Sequence, residues 1–244
     1  MLTWIHTAII ITWTVPWTIV MATLAIITAY FDTEGNRVHQ VARVWARLIL
    51  IVSRIKVTVE GLSNIDPDKS YIYMSNHQSN FDIPVMLAYL PVQFKWLAKV
   101  ELFKIPIFGR GMRGAGYISI DRSNRKSAVQ SLREAAIKIQ NGTSVLIFPE
   151  GTRSLDGKIR PFKKGGFVLA VESGVPVVPM AIQGSFPIMP KNRILINPGP
   201  VVLEIKEPID TTGFTRKTRD VLLEKVRDTI CETFEELEKG TAPC

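Results

Sequence analysis

Short apolar runs typical of β-strands alternate with helical segments along the chain from Lys56 onward. Buried-strand patterns occur at Tyr71–Ser75 and Ser144–Phe148, whereas Ser127–Gln140 repeats apolar residues at helical spacing and ends at Asn141-Gly142. Strands that alternate with helices predict an α/β fold, here a largely parallel mixed sheet flanked by helices. In such folds the functional residues lie in loops at the carboxyl ends of the strands.

The remaining elements of this region are predicted by the same patterns. No repeat, low-complexity tract or linker divides it, so residues 56–244 are predicted to form one domain. Val201–Ile205 is expected to be a strand near a sheet edge. The other predicted strands are Lys56–Glu60, Phe94–Ala98, Gly116–Ile120 and Val177–Ala181, and the other predicted helices are Gly165–Ser173 and Thr218–Leu237.

The N-terminal segment from Met1 to Phe31 contains no Asp, Glu, Lys or Arg. It is long enough to span a bilayer as a helix. A secretory signal peptide would need a basic start and a small-residue cleavage site, and these features are missing. Pro16 predicts a kink in the helix. Five threonines form a mildly polar stripe on one side, namely Thr3, Thr7, Thr14, Thr18 and Thr28.

The next segment, Val38–Ile55, is mostly apolar but carries Arg43, Arg47 and Arg54, which share one side at helical pitch. This pattern is typical of a basic amphipathic helix in an anionic headgroup layer, although a surface helix packed on the domain shows it as well. Residues 1–55 are therefore predicted to form a helical hairpin that docks on a membrane by spanning it or dipping into one leaflet. The arginines after the apolar segment predict that residues 56–244 lie on the cytoplasmic side of the cell (inner) membrane.

The charge balance predicts an anionic partner, because 30 Lys and Arg residues exceed 22 Asp and Glu residues. The partner could be nucleic acid, an anionic membrane or a phosphorylated substrate. Nucleic acid is disfavoured, because the sequence shows no Arg/Lys-rich helix with a base-reading context and such a role leaves the apolar segment unexplained. Three scattered histidines and no cysteine cluster predict no metal site.

The segment Asn76–Asp82 directly follows the strand predicted at Tyr71–Ser75. A histidine beside a carboxylate is suited to general-base catalysis, because the carboxylate fixes the imidazole tautomer and stabilises the imidazolium. On one continuous helix His77 and Asp82 would be about 140° apart, so the pair requires an intervening turn. Asp82 as a helix cap and His77 as an ordinary loop residue would explain the same spacing.

Three further segments carry a possible binding function. In Phe148–Ser154 a Gly-Thr turn beside Arg153 would present backbone N–H groups and a guanidinium to a phosphate, although a charged surface loop has the same composition. Gly116–Arg122 runs from a strand into charged residues, and Arg122 could also bind phosphate. Val175–Met180 is apolar and favours a core strand.

Together, these four segments resemble the four sequence blocks of the glycerolipid acyltransferase family, in particular the bacterial lysophosphatidic acid acyltransferases. They read Asn-His-Gln-Ser-Asn-Phe-Asp, Gly-Tyr-Ile-Ser-Ile-Asp-Arg, Phe-Pro-Glu-Gly-Thr-Arg-Ser and Val-Pro-Val-Val-Pro-Met, in this order. The resemblance implies an enzyme that moves a fatty acyl group from an acyl thioester to the sn-2 hydroxyl of 1-acyl-glycerol-3-phosphate, giving phosphatidic acid. The co-substrate would be acyl-CoA or acyl carrier protein, with no other cofactor, at an anionic membrane surface.

The resemblance also implies roles for individual residues. His77 would take the proton of the sn-2 hydroxyl and Asp82 would orient it. Because the sequence has no Gly-x-Ser-x-Gly elbow, a covalent acyl-enzyme is not required. Substrate-binding residues would be Lys99, Arg122 and Arg153 for phosphate, Glu150 with Gly151 and Thr152 for the glycerol backbone, and Val175–Met180 for the acyl group.

Other functions remain open at this point. Another lysophospholipid, a lyso-aminolipid or glycerol-3-phosphate could be the acceptor within the same family. A phospholipid hydrolase would use the same histidine with water. A membrane-binding adaptor without catalysis would use the basic surface alone.

Overall fold

A computed structural model describes residues 2–121 and 123–241. Its centre is a seven-stranded mixed sheet in which every strand contains apolar residues that are buried. The strands are β1 (Ile55–Glu60), β2 (Ile72–Ser75), β3 (Lys95–Lys99), β4 (Ile118–Ile120), β5 (Val145–Ile147), β6 (Val177–Gln183) and β7 (Gly199–Ile205).

The strand order is β1-β7-β6-β2-β5-β3-β4. All neighbouring strands are parallel except β6 and β7, which are antiparallel. The predicted α/β class and largely parallel sheet are thus confirmed. The strand predicted near a sheet edge at Val201–Ile205 belongs to β7, which is second from the edge because β1 pairs along its outer side. The pairing of β1 with β7 joins distant parts of the chain, and local patterns do not report it.

Helices cover both faces of the sheet and bury two apolar clusters. One cluster lies under α2 (Asn36–Val52) and α3 (Asp82–Tyr89), and the other lies under α6 (Arg125–Gln140), α7 (Gly165–Ser173) and α9 (Arg219–Thr241). Alternate residues of β2 separate accordingly, with Tyr73 in the first cluster and Ile72 and Met74 in the second. The helices are α1 (Leu2–Ala29), α2 (Asn36–Val52), α3 (Asp82–Tyr89), α4 (Val100–Phe103), α5 (Phe108–Gly114), α6 (Arg125–Gln140), α7 (Gly165–Ser173), α8 (Ser185–Ile188) and α9 (Arg219–Thr241).

The N-terminal helices form the predicted hairpin. Helix α1 is assigned as one helix through Pro16, and the indole N–H of Trp45 on α2 donates to Thr18 Oγ1 at 3.0 Å. The threonine stripe faces the protein, because Thr7 is buried and accepts a hydrogen bond from the Ile196 N–H at 3.0 Å. By length and composition α1 is the one helix among the described residues that could cross a membrane.

The predicted end of the second helix is wrong. Helix α2 stops at Val52, and Arg54 adopts a left-handed backbone conformation with φ 54° before Ile55 begins β1. Arg54 therefore does not lie on a helix face with Arg43 and Arg47. Strand β1 also begins at Ile55, one residue before the predicted start of the second domain at residue 56. Residues of both helices belong to the core cluster of the body, as Ile10 and Ile49 illustrate.

Candidate active site

The loop after β2 brings His77 and Asp82 together. Residues 76–81 are not helical, and Asp82 is the first residue of α3, so the chain turns between the two side chains. His77 Nδ1 lies 2.7 Å from Asp82 Oδ2. The same oxygen accepts hydrogen bonds from the backbone N–H groups of Gln78 at 2.7 Å and Ser79 at 2.8 Å. The carboxylate thus holds the loop and the imidazole in one geometry.

This contact defines the chemistry that His77 can perform. Because Asp82 accepts the Nδ1 proton, the lone pair of the neutral imidazole is on Nε2. Asp82 is fully buried, whereas the His77 side chain is 14% exposed. The ring stacks on Phe148 with centroids 4.0 Å apart and an angle of 7° between the planes. A fixed ring with a buried carboxylate partner and partial exposure is suited to general-base catalysis.

The segment after β5 wraps around the histidine loop. The Ser154 N–H donates to the His77 carbonyl at 2.8 Å. Glu150 Oε1 accepts the His77 N–H at 2.6 Å, and its Oε2 accepts the Arg160 N–H at 2.8 Å. Burial, with a smaller contribution from the charge of Asp82, raises the pKa of Glu150 to about 7 in spite of two backbone hydrogen bonds that lower it. Glu150 is 2% exposed and joins the two loops.

His77 opens onto a cavity of about 450 Å³, a size typical of small-ligand pockets. Its apolar wall is formed largely by the hairpin and α5, with Met21 and Ala25 from α1, Trp45 from α2 and Met112 from α5 among the lining residues. Its polar lining comes from the carboxyl edge of the sheet and a later segment. These polar residues are His77, Asn80, Lys99, Thr152, Arg153 and Lys191, and the hydroxyl-bearing residues Thr18 and Tyr117 line the cavity as well.

The structure brings most of the predicted site residues to this cavity. Lys99, at the end of β3, lines it together with Gly151, Thr152 and Arg153. Glu150 does not line it, and the geometry favours a positioning role over the substrate contact that the resemblance implied. The prediction for Arg122 falls on a residue outside the described ones.

The apolar segment Val175–Met180 does not shape the cavity. Val177 and Met180 belong to β6, are fully buried, and are not among the lining residues. The simpler interpretation of this segment as a core strand is therefore the one that the geometry supports.

Within residues 2–121 and 123–241, no group of three or more His, Cys, Asp or Glu side chains is arranged to hold a metal ion.

Residues 56–183 match the family model named Acyltransferase. The chain belongs to the acyltransferase family. Its fold superposes on the crystal structure of the 1-acyl-sn-glycerophosphate acyltransferase PlsC from Thermotoga maritima with a TM-score of 0.83 and 31% identity. The match covers 97% of this chain and 96% of that one.

Curated relatives in this family carry a consistent name. A chloroplastic 1-acyl-sn-glycerol-3-phosphate acyltransferase of Brassica napus is 37% identical over 207 residues, covering 84% of this chain and 58% of its own length. The human 1-acyl-sn-glycerol-3-phosphate acyltransferase alpha is 30% identical over 222 residues, covering 91% and 78% respectively. The chain thus spans little more than half of the plant relative.

Sequence reasoning missed one basic residue that lines this cavity, Lys191. It lies outside all four sequence blocks, in the segment between α8 and β7, and its Nζ donates to Thr152 Oγ1 at 2.9 Å. No local pattern marked it, because the contact joins residues 39 positions apart. The only sequence signal was a basic residue in the segment that follows β6 and α8.

Proposed function

We propose that the protein transfers a fatty acyl group from an acyl thioester to the sn-2 hydroxyl of 1-acyl-glycerol-3-phosphate, giving phosphatidic acid. The observation that carries this proposal is the juxtaposition of the His77–Asp82 pair with a cavity that is cationic in one part and apolar in another. A lysophosphatidic acid has a phosphate, a free hydroxyl and an acyl chain, which match these three features. The names of the relatives support the same substrate.

In the proposed reaction the sn-2 oxygen attacks the thioester carbonyl carbon while His77 Nε2 accepts the hydroxyl proton. Asp82 stabilises the imidazolium that forms. The carbon–sulfur bond then breaks, and the imidazolium returns its proton to the thiolate, so the products are phosphatidic acid and a free thiol. The new ester bond forms in one transfer, without a covalent acyl-enzyme.

The apolar wall of the cavity suits an acyl chain. Residues such as Ala22, Ala25 and Ala42 leave space between α1 and α2, and no Asp or Glu occurs among the described lining residues. The exposed side of α1 is equally apolar, with Trp4, Ile9 and Val20 each more than half exposed. We infer that this side contacts lipid and that the hairpin docks the domain on the cytoplasmic side of the cell membrane, where Arg43 and Arg47 would meet anionic headgroups.

The reaction is tested with purified protein in detergent, 1-oleoyl-glycerol-3-phosphate and labelled oleoyl-CoA or oleoyl-acyl carrier protein in separate assays. Labelled phosphatidic acid from the wild type, and its loss in a folded His77→Ala variant, would support the proposal and identify the better donor. Preferential acylation of lysophosphatidylethanolamine or glycerol-3-phosphate would assign a different acceptor. Equal product from His77→Ala would refute the proposed role of the histidine.

Membrane docking is tested separately by flotation with vesicles of phosphatidylglycerol and phosphatidylethanolamine. Val20→Asp should reduce the bound fraction, because it places a charge on the exposed face of α1. Val129→Asp is the matched control, since Val129 is 43% exposed on α6 in the body. Equal binding by both variants would contradict docking through α1.

A further inference from the structure

Lys191 lies next to the turn that follows β5. Its ammonium group donates to Thr152 Oγ1 at 2.9 Å, and both side chains line the cavity onto which His77 opens. Thr152 belongs to the segment that is tied to the histidine loop, because Ser154 N–H donates to the His77 carbonyl at 2.8 Å. The cation is therefore positioned against the catalytic loops by a defined hydrogen bond.

The segment that carries Lys191 is fastened on both sides. The Ser79 hydroxyl, two residues after His77, donates to the Met189 carbonyl at 3.1 Å. At the other side, Ile196 N–H donates to Thr7 Oγ1 of α1 at 3.0 Å. These contacts hold the backbone around Lys191 between the histidine loop and the N-terminal helix. Together with the hydrogen bond to Thr152, they fix the position of the Lys191 ammonium group in the cavity.

Three cations face the same cavity, namely Lys99, Arg153 and Lys191. None of them forms an ion pair with another described residue, and the described lining contains no carboxylate. Like charges gathered without counter-ions repel one another, and a bound anion relieves this repulsion. Three cations that line one cavity without carboxylate partners therefore favour an anionic ligand there.

We propose that Lys191 is a substrate-binding residue for the phosphate monoester of the acceptor, together with Lys99 and Arg153. This inference rests on the proposed function. In 1-acyl-glycerol-3-phosphate the phosphate is bonded to the carbon next to the one that bears the reacting hydroxyl, so both groups must lie in the cavity that His77 lines. The phosphates of an acyl-CoA donor are separated from the thioester by the whole pantetheine arm, which favours the acceptor as the source of the anion.

The test compares steady-state kinetics of Lys191→Met, Lys191→Arg and Arg193→Met in detergent, varying 1-oleoyl-glycerol-3-phosphate and oleoyl-CoA in turn. Arg193 is exposed in the same segment and does not line the cavity, so its variant controls for general electrostatic attraction. Lys191→Met should raise KM for the acceptor about tenfold, because one charge-assisted hydrogen bond is lost. KM for oleoyl-CoA should change less than twofold, and Lys191→Arg should recover most of the acceptor affinity.

A rise in KM for oleoyl-CoA with no change for the acceptor would overturn the assignment and place the donor phosphates at Lys191. Equal increases in acceptor KM for Lys191→Met and Arg193→Met would also overturn the assignment, because the loss of one positive charge from the protein would then explain both increases. Thermal melting separates either result from misfolding. Thr152→Val should weaken acceptor binding in the same direction, and the double variant should be less than additive because the two side chains touch.

A binding measurement separates this inference from the proposed function. Trp45 and Trp96 line the cavity, so tryptophan fluorescence can follow titration with 1-oleoyl-glycerol-3-phosphate alone. Tight binding by the wild type and about tenfold weaker binding by Lys191→Met, without turnover, would uphold Lys191 and refute the acyl transfer. Turnover by the wild type with equal affinity of both proteins for the acceptor would refute Lys191 and leave the acyl transfer intact.

Discussion

Replacement of Asp82 by Asn isolates the charge of the buried carboxylate from its hydrogen bonds. In the wild type, Oδ2 accepts from Gln78 N–H, Ser79 N–H and the His77 ring. An amide oxygen at the same place can accept all three. The substitution therefore preserves the loop geometry while it removes the negative charge that stabilises a protonated His77.

The magnitude of the effect follows from the separation of the charges. His77 Nδ1 lies 2.7 Å from Asp82 Oδ2. With charge centres about 4 Å apart and an effective dielectric constant near 20, the interaction is about 4 kcal/mol. Loss of this interaction from the transition state lowers kcat about a thousandfold, at about 1.4 kcal/mol per factor of ten. We therefore expect Asp82→Asn to retain roughly a thousandth of the wild-type kcat.

Stability should respond much less than activity. Asp82 Oδ1 is buried and has no hydrogen-bond partner, so an amide NH₂ in its place remains unsatisfied. An unsatisfied buried group costs about 1–3 kcal/mol. The assay pairs phosphatidic acid formation with thermal unfolding of the same preparation, and the matched control is Asp156→Asn. Asp156 also accepts hydrogen bonds from its own loop, from Ser154 and Lys158, but does not line the cavity.

A folded Asp82→Asn variant with kcat within tenfold of the wild type would refute the reasoning. It would show that the carboxylate positions the imidazole only, and that its charge adds little to the transition state. A similar loss of activity in Asp156→Asn would attribute the effect to loop damage.

Three further perturbations follow from other groups. Glu150→Gln should destabilise the fold by about 1–3 kcal/mol, because the introduced NH₂ must face one of the two backbone N–H donors. Since the pKa of Glu150 is raised to about 7 in the folded protein, the folded wild type binds more protons than the unfolded chain between pH 4.5 and 7, and its stability falls as the pH rises through this range. Thermal melts of Glu150→Gln should lack this pH dependence. Burial lowers the pKa of Lys95 to about 8, so wild-type stability should rise from pH 8 to 10.5, and Lys95→Met should flatten that rise in thermal melts; an unchanged pH slope would contradict it. Ala25→Phe should fill part of the cavity and shift donor preference toward shorter acyl chains in a competition assay, and an unchanged preference would exclude Ala25 from the acyl-binding wall.

The local elements of the fold were predictable where the sequence pattern is set by burial. Helix Gly165–Ser173 agrees with the structure at both ends, because its apolar face and the terminal Gly174 are local signals. Helix α5 was missed, since three of its seven residues are glycines, which have low helix propensity. The end of α2 was misplaced because the left-handed turn at Arg54 leaves no mark in the hydrophobic pattern.

The site was predictable only in part for a related reason. His77 and Asp82 are close in the chain, and the resemblance identified them together. Lys191 and the structural contacts of Glu150 depend on pairings between distant segments, namely 191 with 152 and 150 with 77. Side-chain patterns in one sequence carry no information on which loops meet.

The helical hairpin contributes to the protein core and to the cavity with the same two helices. Selection therefore cannot adjust its roles independently. With the proposed docking, a substitution on α1 that adapts the chain to a thicker or more fluid membrane would also shift the cavity wall proposed to hold the acyl chain. Lineages that change their lipid composition should accordingly show correlated substitutions on the lipid-facing and cavity-facing sides of α1, and transplanting a foreign hairpin should alter the acyl composition of the product.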